Sequence, residues 1–113
     1  MSATAKTKYV RISPRKARLA ADLIRGLPVA DALLQLQFGG SKASRLILKT
    51  LKSALANAET QDNSRPEELV VAEIRVDEGP RWKRAVPRNR GGRHPILKRT
   101  SHFTIKLEGA PEA

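Results

Sequence analysis

The stretch Arg11-Ile12-Ser13-Pro14-Arg15-Lys16-Ala17-Arg18-Leu19-Ala20-Ala21-Asp22-Leu23-Ile24-Arg25-Gly26 holds a strand end, a helix start and a helix stop in sixteen residues. Ser13 offers a cap oxygen, Pro14 suits the first helical position, and Gly26 ends the helix. Arg15, Arg18, Asp22 and Arg25 recur at spacings of three and four and share one exposed face. Ala17, Ala20, Ala21 and Ile24 line the other face, and such small residues let a neighbouring element approach closely. Upstream, Thr7 to Ile12 reads as a short strand, with Tyr9 and Arg11 alternating against Val10 and Ile12.

Downstream, Val29, Ala32, Leu33 and Leu36 form the apolar stripe of a second, short helix over Val29–Gln37, ended by Gly39-Gly40. Ser41 caps a longer third helix, about Lys42–Thr60, whose buried stripe holds Ala43, Ile47, Leu51, Ala54, Leu55 and Ala58. Arg45, Lys49 and Lys52 lie on another face, where solvation and RNA contact are both open readings. Gln61 to Pro66 is a polar loop. Beyond it, Val70, Ala72, Ile74 and Val76 alternate with Val71, Glu73, Arg75 and Asp77 as a half-buried strand. Phe103, Ile105 and Leu107 alternate with His102, Thr104 and Lys106 as another. Three helices and three strands without βαβ alternation predict one α+β domain over residues 1–113, its helices packed on a small three-stranded antiparallel sheet.

Charge is distributed unevenly along the 113 residues, whose formal net charge is +11. Residues 1–21 carry Lys6, Lys8, Arg11, Arg15, Lys16 and Arg18 and no acid. Residues 79–107 carry Arg81, Lys83, Arg84, Arg88, Arg90, Arg93, Lys98, Arg99 and Lys106, again without an acid. The two stretches total +15, and the remainder of the chain is −4. A solvated surface interleaves acids, whereas these segments exclude them, so a polyanionic partner is expected. Arg outnumbers Lys in both stretches together, and its planar fork grips phosphate better than a point charge does. With Trp82, Tyr9, Phe38 and Phe103 the only aromatics, base stacking is a poor main mode of recognition.

Between the last two strands lies an unusual segment of about residues 79–98. Gly79-Pro80 interrupts the pairing pattern, cations follow, and Asn89 to Gly92 collects residues that tolerate a positive φ. If Gly79–Arg88 and Arg93–Lys98 pair, the result is a protruding β-hairpin arm of roughly 25–30 Å at ~3.3 Å per residue. Trp82, Val86, Ile96 and Leu97 are its only large apolar residues, and an isolated hairpin is marginal in water. The arm is therefore expected to be ordered by a polyanion around it. Strong amide protection at Arg84–Arg93 in the free protein would refute that.

These residues also resemble a known family. Arg11 to Leu19 followed by Ala21-Asp22-Leu23-Ile24-Arg25-Gly26 is similar to the N-terminal signature of the bacterial large-subunit ribosomal protein L twenty-two family. Leu51-Lys52-Ser53-Ala54 with Ala56-Asn57-Ala58-Glu59 resembles its long helix. Val76-Asp77-Glu78-Gly79-Pro80 with Lys83-Arg84 resembles the base of its arm, and Lys98-Arg99-Thr100-Ser101-His102 its closing strand. The blocks stand in the family's order from Lys8 to Leu107.

The resemblance implies a structural constituent of the large subunit, cytoplasmic and within the ribosome. Such a protein contacts 23S rRNA and neighbouring large-subunit ribosomal proteins, supports early assembly, and lines the polypeptide exit tunnel with its arm. The implied rRNA-binding residues are Lys6, Lys8, Arg11, Ser13, Arg15, Lys16, Arg18, Arg81, Lys83, Arg84, Arg88, Arg90, Arg93, Lys98, Arg99 and His102. The implied tunnel tip, facing the nascent polypeptide, is Pro87, Arg88, Asn89, Arg90, Gly91, Gly92 and Arg93. The family tip commonly reads Pro-Arg-Ala-x-Gly-Arg-Ala, so Asn89 and the Gly92-Arg93 pair are departures. They shift a cation by one residue, which in a paired strand changes its side.

Other classes find less support. There is no cysteine, so a disulfide scaffold, thiol nucleophile and thiolate metal site are excluded. No apolar run approaches a membrane span, no apolar signal core opens the chain, and the first helix has an alanine-rich face where a membrane-active helix needs a strongly apolar one. His94 and His102 are the only histidines, so a two-histidine nuclease is a remote alternative, and a non-enzyme is expected. Asp22 and Asp31 have no evident metal-ligand partners, and neither metal, cofactor nor small-molecule substrate is implied. The remaining alternative is an architectural DNA-binding protein whose arginine-rich β-arm enters the minor groove.

Overall fold

The computed structural model describes residues 2–62, 65–80, 82–87 and 93–109. Strand β1 (Ser2–Val10) leads through Ser13 into helix α1 (Pro14–Ile24), then α2 (Val29–Gln37) and α3 (Lys42–Asp62). A short 3-10 turn over Pro66–Glu68 precedes β2 (Leu69–Glu78). The ribbon strands β3 (Trp82–Pro87) and β4 (Arg93–Lys98) follow, and β5 (Ser101–Gly109) closes the chain. The main sheet has the order β1-β5-β2, with both pairings antiparallel. The α+β architecture expected from the sequence is what is found.

The helices cover one face of this sheet, α3 over β1 and β5 and α1 against β2. Ala3 and Ala5 of β1, Phe103, Ile105 and Leu107 of β5, and Ile74 and Val76 of β2 meet Ala17, Ala21, Ile47, Leu51 and Ala54 in one core. Each fully buried Leu, Ile or Phe contributes about 1.5–3 kcal/mol. Polar bonds set the register of helix on sheet: the hydroxyls of Thr50 and Thr7 lie 2.8 Å apart, and Asn57 Nδ2 donates to Thr4 O at 3.1 Å. The opposite face carries Lys6, Arg75 and Lys106, with Arg75 paired to Glu73 and Lys106 to Glu108.

Three local expectations require correction. The first strand begins at Ser2 and ends at Val10, not at Thr7 and Ile12. Ala3 and Ala5 alternate inward, but alanine is a weak strand former and hides the pattern. The pairing with β5 is also irregular between Thr7 and Val10, where Tyr9 takes φ 58°, a left-handed value that costs a non-glycine residue about 1 kcal/mol. Second, the alternation in β2 changes phase. A bulge between Val71 and Glu73 makes Ala72 the extra residue, so Leu69 and Val71 are buried along with Ile74 and Val76. Third, Gln61 and Asp62 belong to α3 rather than to a loop.

Strand β2 is an edge strand, and its outer backbone groups are covered. Val71 N donates to Leu27 O at 2.9 Å, and Gly26 N donates to Val71 O at 3.0 Å. Arg25 Nη2 donates to Ile74 O at 2.9 Å, and Arg18 donates through Nε and Nη2 to Val76 O at 3.2 and 3.1 Å. Covering an edge in this way blocks further strand pairing. Helix α1 is thereby tied to β2 by two guanidinium groups from the face that periodicity marks as exposed.

The ribbon pairs Trp82 with Lys98 through to Pro87 with Arg93. At ~3.3 Å per residue its paired part is roughly 20 Å long. It forms a sheet of its own and packs almost wholly on itself. The molecule measures 67 × 25 × 17 Å with a radius of gyration of 17.2 Å. A compact chain of this length has about 13 Å, and the ribbon accounts for elongation of this kind.

Candidate nucleic-acid interface

The loop Arg11–Ser13 is the hub of the basic surface. It is fastened on two sides: Ser101 Oγ donates to Ile12 O at 2.7 Å, and Lys42 Nζ donates to Arg11 O at 3.1 Å. The first bond brings the arm base, with Arg99, to the loop, and the second brings the start of α3. Ser13 caps α1, accepting from Lys16 N at 3.4 Å, which fixes the first turn with Arg15 and Lys16 outward.

The result is a cleft of about 1090 Å³ between α1, the end of α2 and the start of α3. Arg11, Lys16, Lys42 and Arg99 line it together with Ser13, Ser41 and Ser44, and among the described residues no carboxylate does. The junction of α2 and α3 shapes its wall. A Cβ added at Gly39 would meet Ser44 Oγ at 2.5 Å, and the Ser44 hydroxyl is held 2.9 Å from that of Ser41. Gly40 follows with φ +72°, which favours glycine.

The sequence-predicted residues divide into groups. Arg11, Ser13, Lys16 and Arg99 converge on the cleft, and Arg15 lies exposed on the same helical turn as Lys16. Lys6 and Lys8 are exposed along β1. Arg18 is turned onto Val76 O and has three of its five N–H groups left over. His102 sits at the arm base, where its Nδ1 accepts from Tyr9 N at 3.0 Å and its ring meets Tyr9 edge-on at 4.9 Å. Nδ1 is therefore the unprotonated nitrogen, and a general-base role would compete with that bond. Lys83, Arg84, Arg93 and Lys98 are placed on the paired ribbon strands. Arg81, Arg88, Asn89, Arg90, Gly91 and Gly92 lie outside the described residues, so the predicted tunnel tip is described only at Pro87 and Arg93.

Sequence reasoning missed Lys42, Leu19 and Leu23 as cleft residues, and it gave Phe38 no role. Lys42 carries a signal that could have found it: it directly follows the cap residue of α3, close to the double glycine that turns the chain.

The arm base is built around Gly79, whose position leaves no room for a side chain beside Thr100 Oγ1. Gly79 N donates to Thr100 O at 2.9 Å, and the buried Thr100 hydroxyl donates to Pro80 O at 2.7 Å. These bonds close the ladder where β2 and β5 part from the ribbon. Among the described residues no group of three or more His, Asp and Glu is placed to hold a metal ion. No helix of the described chain is long and apolar enough to cross a membrane.

Comparison with known proteins bears out the resemblance. The family described as "Ribosomal protein L22p/L17e" matches residues 5–108. The chain is 69% identical over 103 residues to the large ribosomal subunit protein uL22 of Protochlamydia amoebophila, covering 91% of this chain and 93% of that one. It is 56% identical over 101 residues to the protein of that name from Chlamydia abortus, covering 89% and 91%. From the cation-lined cleft, the arm and this similarity along nearly its whole length, the chain belongs to the Ribosomal protein L22p/L17e family, a family of ribosomal proteins and not of enzymes.

Proposed function

We propose that this protein is a structural constituent of the large ribosomal subunit in the cytoplasm, binding 23S rRNA through the Arg11–Ser13 hub, β1 and the arm. The observation that carries the reading is the convergence of Arg11, Lys16, Lys42 and Arg99, from four separate parts of the chain, with no carboxylate among the described lining residues. Cations gathered this closely repel one another, and a polyanion placed against them relieves that repulsion.

The chemistry follows from RNA geometry. An A-form helix hides its major-groove edges and presents phosphates and 2′-hydroxyls, so a small basic protein reads backbone shape. Arg15 and Lys16 at the first turn of α1, and Lys6 and Lys8 along β1, supply phosphate contacts whose affinity derives from counterion release. Ser13, Arg18 and His102 support the same surface from behind: Ser13 caps α1, Arg18 holds it to β2, and His102 steadies the arm base. Bound early, such a protein aids subunit assembly and meets neighbouring ribosomal proteins. The ribbon, standing off the body, extends into the wall of the polypeptide exit tunnel, with Pro87 to Arg93 nearest the nascent chain.

Sedimentation of cell extracts tests this. The protein should migrate with large-subunit particles and leave them in concentrated salt. Migration as a free dimer on DNA would instead favour the architectural alternative, which no observation on the fold favours.

A further inference from the structure

The cleft has a second property that phosphate binding does not require: an apolar floor open to solvent. Leu19 is 68% exposed, Leu23 is 59% exposed and Phe38 is 77% exposed, and all three line it. Clustered exposed apolar side chains on a soluble protein mark a contact surface. The ligand must therefore present a flat apolar face and several negative charges within one short segment.

A duplex offers phosphates but keeps its bases stacked inside. A protein segment could fill an apolar groove, but the rim of Lys16, Lys42 and Arg99 would demand an unusually acidic one. An unpaired nucleotide has both features, since every base has a π-face and sits between two phosphates. We propose that this cleft receives an unstacked base of single-stranded RNA, laid on the Phe38 ring and against Leu19 and Leu23. Its flanking phosphates lie against Lys16, Lys42 and Arg99. Asp31 borders a smaller hollow of about 500 Å³ that shares Phe38. A carboxylate on that side directs the phosphates toward the cationic rim.

The proposal rests on the RNA-binding reading and deepens it, locating a single-strand subsite on a surface otherwise suited to duplex backbone. One stacking ring does not make stacking the main source of affinity; it makes one nucleotide position distinct.

The test compares wild type with Phe38→Ala and Phe38→Trp, exposed substitutions that leave the core intact. Three probes are titrated: a 12-nucleotide unstructured RNA, a 12-base-pair RNA duplex and a large-subunit rRNA transcript. Phe38→Ala should weaken single-strand binding about tenfold, leave duplex binding unchanged and leave the salt slope unchanged, because no phosphate contact is removed. Phe38→Trp should restore binding. A 4-thiouridine in the single strand should crosslink to the peptide that contains Phe38. If wild type binds the transcript but Phe38→Ala binds the single strand equally well, the subsite is refuted while the RNA-binding reading stands. Wild type binding none of the three probes overturns both. Shielding of Phe38 by another ribosomal protein in the absence of RNA also overturns the subsite, in favour of a protein partner.

Discussion

Arg18 looks like one more exposed cation, yet replacing it should cost stability. Its guanidinium donates two hydrogen bonds to Val76 O, on the outer edge of β2 and 58 residues away in sequence. A hydrogen bond from a charged donor contributes roughly 1.5–3 kcal/mol. The contact is only part-buried, and water can reach an edge carbonyl once the fork is gone, so the lower part of that range applies. Removing one cation from a chain of net charge +11 also relieves some self-repulsion. Arg18→Met keeps the apolar stem and should therefore lose about 1–1.5 kcal/mol. For a domain of this size that is a fall in Tm of roughly 4–8 °C. Thermal unfolding followed by circular dichroism measures it, beside Arg15→Gln as a control on the same helix. Arg15→Gln should leave Tm unchanged and reduce the slope of log K against log[salt] for rRNA by about one. If Arg18→Met instead unfolds at the wild-type temperature and loses the salt slope, Arg18 is a phosphate contact and its bond to β2 contributes nothing.

Other substitutions probe the supports of the surface. Thr100→Val removes the hydroxyl that donates to Pro80 O at 2.7 Å while keeping side-chain volume; about 1 kcal/mol of stability should be lost, with faster amide exchange at Gly79. Gly39→Ala should displace the Ser44 hydroxyl from Ser41 and lower stability by about 1 kcal/mol in denaturant titrations. Thr50→Val breaks the bond between α3 and Thr7, and a loss of about 1 kcal/mol without any change in RNA affinity is expected.

Much of this molecule is legible from local pattern. The stripes Ala17-Ala20-Ala21-Ile24 and Val29-Ala32-Leu36 are buried where helical periodicity places them, and Ser13, Gly26 and Ser41 mark boundaries that hold. Pattern fails where residues lose their contrast. In Leu69-Val70-Val71-Ala72 every residue is apolar, so nothing local reveals that Ala72 is the bulge. Alanines conceal the start of β1 for a similar reason. The cleft is less legible still, because Lys16, Lys42 and Arg99 become neighbours only through the bonds that anchor the Arg11–Ser13 loop. Arg18 and Arg25 share a face with Arg15, and periodicity alone cannot separate a cation for solvent from one aimed at a backbone carbonyl. The class of partner is not written in periodicity, and family resemblance supplies it.

Backbone recognition by these cations is measured by the affinity of the purified protein for a large-subunit rRNA transcript across a salt series. Contacts from Lys6, Lys8, Arg11, Arg15, Lys16, Lys42 and Arg99 predict a steep linear fall of log K with log[salt], approaching one unit of slope per phosphate neutralised. An affinity that stays level as salt rises would mean that these cations do not grip the RNA backbone.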